Sequence, residues 1–175
     1  MRASAVQKSV GIAAAVLAAA AVTATPAQAE DPNAWGINGV YETLSNGEWA
    51  KRNDSYYDVP TVRSVWTIST QCSSPMDCTG TVKSDQGWEA PIYTTNGSIF
   101  YVKRVVVGWV PCPDGTKADG LQTFRINATE PDTGFASVDD TSLLTGEDLT
   151  IGPSGACGRS ANMDIRMPFR ATKIA

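Results

Sequence analysis

Between residues 162 and 173 the chain reads NMDIRMPFRATK. Met163, Ile165, Met167, Phe169 and Ala171 fall on one parity, and Asn162, Asp164, Arg166, Pro168 and Arg170 on the other. Period-two alternation of this kind marks a strand with one buried face and one wet face. It recurs in TVRSVWTISTQC, where Val62, Trp66 and Ile68 oppose Arg63, Thr67 and Gln71. In LQTFRINAT, Phe124, Ile126 and Ala128 oppose Arg125 and Asn127. Helical spacing of apolar residues is not sustained anywhere after residue 29. Eight strands are predicted, at 38–45, 61–72, 78–84, 88–94, 98–110, 121–129, 134–140 and 162–173. The short connections SSPMD, DQG, TNG, PCPDGTKADG and EPDTG are rich in turn residues. The segments 46–60 and 141–161 are predicted as longer loops that could carry recognition.

If each strand reverses the one before it, the eighth strand runs antiparallel to the first and the sheet can close. The predicted fold is therefore all-β, an antiparallel meander forming an eight-stranded, lipocalin-like barrel. A β-sandwich is the alternative, since Cys72, Trp88 and Cys112 loosely follow the immunoglobulin core pattern. Pro168 has no N–H to give to a ladder, so it is expected at an edge or bulge, where the seam between first and last strands is imperfect.

The first residues change the compartment. Arg2 and Lys8 precede an alanine-rich apolar stretch from Val10 to Val22, and Ala27-Gln28-Ala29 offers small residues for cleavage. This predicts a signal peptide over 1–29 and a single secreted β-domain over 30–175, with no membrane span after cleavage. Two of the 14 Lys and Arg lie in the leader, leaving twelve against 18 Asp and Glu. Such an acidic chain, whose basic runs are only dipeptides, is a poor partner for nucleic acid.

Export makes thiols pair, so Cys72, Cys78, Cys112 and Cys157 are expected to form two disulfides. The spacing Cys-x5-Cys suits neither a redox pair nor a zinc ribbon. In a meander, Cys72 and Cys78 meet at one end of the sheet and Cys112 and Cys157 at the other, which predicts those two pairings.

Catalytic chemistry has little to work with. The sequence holds no histidine, so Ser-His-Asp and Cys-His machinery is excluded, and no catalytic residue, cofactor or metal is expected. Asp139-Asp140 and Glu147-Asp148 could in principle hold calcium but lack EF-hand spacing, and a solvated acidic loop is the expectation. Asp114 in PCPDGT, and the Asn-x-Ser/Thr triplets at Asn53, Asn96 and Asn127, are expected as turn or strand residues. Trp66, Trp88, Trp109, Tyr93 and Tyr101 are candidates to line a ligand pocket, with core filling the competing role. Trp35 and Trp49 could form an exposed patch for a partner.

The stretches WGINGVYETLS, WTISTQC…DCTGTV…GW, WVPCPDGT and GACG…NMDIRMP together resemble a family of small actinobacterial, mycobacterial-type secreted proteins of unknown function. The resemblance covers most of the chain after the leader. It implies export, two disulfides and a compact β fold, and it brings no activity or catalytic residue. The expected role is non-enzymatic: binding a small apolar ligand, or an envelope or host surface partner. The alternative is a structural or protein-interaction module with a filled core.

Overall fold

Seven of the eight predicted strands form close to their expected bounds in the computed structural model, which describes residues 35–175 apart from 138, 159 and 161. The predicted leader and the start of the secreted domain at Glu30 lie outside the described residues. The strands are β1 (Gly39–Ser45), β4 (Val62–Ser74), β5 (Asp77–Ser84), β6 (Glu89–Thr94), β7 (Phe100–Pro111), β8 (Lys117–Ala128), β9 (Leu143–Gly152) and β10 (Met163–Lys173). A small hairpin, β2 (Lys51–Arg52) and β3 (Ser55–Tyr56), interrupts the path from β1 to β4. The order β1-β4-β5-β6-β7-β8-β9-β10 is antiparallel throughout, and β1 pairs with β10 from Tyr41↔Lys173 to Ser45↔Phe169. The barrel is closed, and the sandwich is excluded.

Pro168 sits where β10 changes neighbour. β1 accompanies β10 as far as Phe169, the Pro168 carbonyl accepts from the Asn46 N–H at 2.9 Å, and β2 takes over at Arg166 and Ile165. A residue without an N–H thus occupies the gap between two ladders, as its chemistry requires. The joint between β6 and β7 is sparser, with register over Ile92↔Val102 and Tyr93↔Tyr101 alone.

The seventh barrel strand is not where alternation placed it. Residues 134–137, 139 and 140 lie in a turn-rich connection tied by the isolated bridge Thr129↔Ala136, and β9 runs through 143–152, inside the predicted loop. The reason is an inverted pattern. Leu144, Gly146, Asp148, Thr150 and Gly152 occupy the parity that faces inward, so apolar Leu149 and Ile151 fall on the outer face. Glu147 and Asp148, adjacent in a strand, point to opposite faces. The expectation of a solvated acidic loop is therefore corrected at Asp148, which is 1% exposed. The cysteine pairing survives because β9 supplies the reversal assigned to 134–140, and Cys72–Cys78 and Cys112–Cys157 are bonded.

Inside, the barrel is layered. At the end bearing Cys72–Cys78, Ile68, Ile92, Val102, Ile126 and Leu144 are buried. Below them Trp66 packs edge-on to Phe124 and Trp88 and stacks on Phe169, with centroids 4.7, 5.3 and 5.0 Å away. Such aromatic pairs add about 0.5–1.5 kcal/mol each beyond their buried area. The middle of this barrel is filled.

Candidate functional site

Below the aromatic layer the inward positions turn polar. Ser45 of β1 donates to Asp148 Oδ2 at 2.7 Å, and Gln122 Nε2 of β8 donates to Asp148 Oδ1 at 2.8 Å. Arg104 Nε of β7 donates to Gln122 Oε1 at 2.7 Å while its guanidinium lies over the Trp88 ring, 4.4 Å from the centroid. These groups surround a space of only about 30 Å³, also lined by Trp66 and Phe169. Burial pushes the Asp148 carboxyl above its ordinary 3.8, against the hydrogen bonds from Ser45 and Gln122 and the attraction of Arg104. The same desolvation pulls Arg104 down.

The linkage follows from that direction. A carboxyl whose folded-state pKa is raised contributes stability that is complete below 3.8 and is lost as pH climbs through the folded-state value. Asp114, exposed, and Asp140, half-buried, are held below 3.8 by hydrogen bonds from Thr116 and Ser142 and have the opposite sign. Their effect is common to wild type and Asp148→Asn and cancels in the difference. Wild-type stability minus that of Asp148→Asn, from urea melts at about pH 3 to 8, should therefore fall with rising pH. A flat difference would sink the assignment.

One step further down, Trp109 crosses the end of the barrel. β7 and β8 lose register between Val106 and Val110, where Gly108 takes φ +64° and donates its N–H to Asp119. The extra residues turn the indole inward over two glycines. A Cβ at Gly120 would lie 2.9 Å from Trp109 Cε3, whereas one at Gly152 would run into Val110 Cγ2 and only touch the indole, 3.4 Å from Cζ3. Any side chain at Gly120 would have to displace the ring, so this inward glycine forms its seat.

On the far side of Trp109 opens a cleft of about 680 Å³. One wall is the β2–β3 hairpin, which turns through Asn53 and Asp54 at φ 47° and 64°, the conformation of a tight two-residue hairpin. Asn53 anchors it to β10: its N–H donates to Asp164 Oδ1 at 2.9 Å and its Oδ1 accepts from the Asp164 N–H at 3.0 Å. This wall brings Arg52 and Tyr57, stacked with the guanidinium 5.3 Å from the ring centroid. The opposite wall is Pro111 to Pro113 and Pro153 to Cys157, joined by the Cys112–Cys157 bridge. Val59, Val110, Met163 and Ile165 complete an apolar lining. The volume lies within the range of small-molecule sites, about 300–1,000 Å³.

The five aromatic candidates separate. Trp109 lines the cleft, Trp66 is 1% exposed in the filled layer, and Trp88 closes its side. Tyr93 and Tyr101 alternate with inward Ile92 and Val102, so they stack on each other outside the barrel at 5.7 Å, with Lys103 beside them. Of the two residues set aside as a partner patch, Trp35 packs on the core and Trp49 is exposed. Sequence reasoning placed Arg52 and Tyr57 in a recognition loop, 46–60, without singling them out, and missed the Ser45–Asp148–Gln122–Arg104 cluster. The signals available were Asn-Asp between short strands and glycines at inward parity. Among the described residues there is no cluster of three metal-ligating side chains, and no helix is long and apolar enough to cross a membrane.

The sequence matches no family model and no curated protein. Among solved structures the chain is similar to the monomer form of the sensor domain of PknI from M. tuberculosis. The TM-score is 0.55 and the identity 14%, over 79% of this chain and 88% of that one. At that identity the likeness is one of fold.

Proposed function

We propose that this protein is a secreted, non-enzymatic β-domain that binds a small, largely apolar ligand in the cleft beneath Trp109. The observation that carries the reading is the cleft itself: about 680 Å³, floored by an indole and walled by a disulfide and a hairpin. The filled middle of the barrel directs the ligand to the end rather than the centre. Two disulfides suit an oxidising compartment, in keeping with the leader predicted over 1–29 and an extracellular site of action. A sensor domain from a mycobacterium having the same fold is consistent with sensing or binding, and with the actinobacterial resemblance of the motifs.

A second reading, docking to an envelope or host surface protein, draws on the outer wall. There Val105 and Leu121 face each other across β7 and β8, 59% and 48% exposed, beside Val107 at 84%. Native mass spectrometry of the protein purified from the organism that encodes it separates the two. Ligand binding predicts a retained small molecule, lost in Ala156→Trp, which fills the cleft from its wall. A wild-type protein emerging at its bare mass would turn the assignment to the outer wall.

A further inference from the structure

We infer that the cleft selects amphipathic anions: molecules with a flat or aliphatic apolar body and one carboxylate or similar acidic head. The inference rests on the ligand-binding reading above and adds the charge of the ligand to it. Among the described residues lining the cleft, Arg52 is the one charged side chain, and no carboxylate lines it. That is unexpected on a chain with 18 acidic and 14 basic residues, where a random stretch of surface would carry more negative charge than positive.

The backbone that carries the guanidinium is also held in place. Arg52 is paired in register with Ile165, its hairpin is pinned through Asn53 to Asp164, and its head lies against Tyr57. No ion pair occupies it among the described residues. Its planar N–H groups are therefore available to donate to a carboxylate in the bidentate manner arginine favours. The amides of Asn53 and Asn162 stand at the same rim, and the apolar body would rest on Trp109 between Val59 and Met163.

The test uses three probes of one shape: 2-naphthoate, 2-naphthalenemethanol and 2-naphthylmethylammonium. Each is titrated into the full secreted protein, with calorimetry for affinity and indole fluorescence for location. Trp109 is the one tryptophan lining the cleft among the described residues, so the quenching should vanish in Trp109→Phe. Naphthoate should bind about tenfold more tightly than the alcohol, and the ammonium more weakly than both. In Arg52→Gln the acid should lose its preference over the alcohol, and Arg52→Lys should retain part of it. Salt should weaken naphthoate and leave the alcohol alone. If all three bind alike, or Arg52→Gln leaves the preference intact, the charge selection is wrong and the cleft remains a ligand site. If none of the three binds, the ligand-binding reading fails and this inference goes with it.

Discussion

Phe169→Ala should lower the free energy of unfolding by about 3–5 kcal/mol, the range for truncating a large aromatic in a close-packed core. Phe169 is 3% exposed, stacks on Trp66 at 5.0 Å and meets Phe124 edge-on at 5.2 Å. Its ring borders the small polar space above Asp148, so the void left behind adjoins groups that need their present geometry to stay satisfied. The neighbouring Arg170 points outward and is exposed, and Arg170→Ala should change stability by no more than about 0.5 kcal/mol. Urea denaturation of both variants gives the comparison. Equal losses would mean that β10 does not present alternate faces, and the packing of the barrel would have to be redrawn.

Replacing Cys112 and Cys157 by serine should cost about 4 kcal/mol in the chain-entropy account, because the bridge spans 45 positions. The same change at Cys72 and Cys78, 6 positions apart, should cost about 2 kcal/mol. The larger loss should have a second signature. Both cysteines of the long bridge line the cleft, so its opposite wall, Pro153 to Cys157, loses its tether to β7. Ligand affinity should therefore fall at temperatures where the barrel is still folded, while the Cys72/Cys78 variant binds normally. Thermal melts beside binding isotherms separate the two effects. Loss of binding in the short-bridge variant alone would place the ligand at the other end of the barrel.

What could be read beforehand was whatever apolar alternation encodes. β4, β8 and β10 put Trp66, Ile68, Phe124, Ile126 and Phe169 on the parity that proved to be inside. Parity also brought the cysteines to their partners, since counting reversals requires only that one strand lie between β8 and β10. β9 escaped because its inner face is polar and glycine-rich: Asp148 is satisfied by Ser45 and Gln122, and Gly152 makes room for Val110. A carboxylate in a strand reads as solvent-facing until the partners that accompany it are known, and those come from β1, β7 and β8. The cleft was hidden for a similar reason. Arg52 and Tyr57 lie in a hairpin with two-residue strands, too short to alternate, and they reach Trp109 only through the pairing of β2 with β10.

The sparse joint between β6 and β7 makes the ring of strands unequal around its circumference. Ladders elsewhere around the ring run over five or more paired positions, but here Ile92↔Val102 and Tyr93↔Tyr101 alone hold the two sides. Below them, Pro91 has no N–H to offer, and the wall is completed by Arg104 lying on Trp88. A barrel with one weak joint can breathe by parting there, at a free energy well under that of global unfolding, while the other seven pairings persist. Each such opening turns the closed cylinder briefly into a curled sheet with two free edges. It also lets solvent reach Asp148 and Gln122 sideways, by a route independent of the cleft and of Trp109. The polar interior of this barrel is therefore closed by a two-pair ladder on one flank and by an indole at one end.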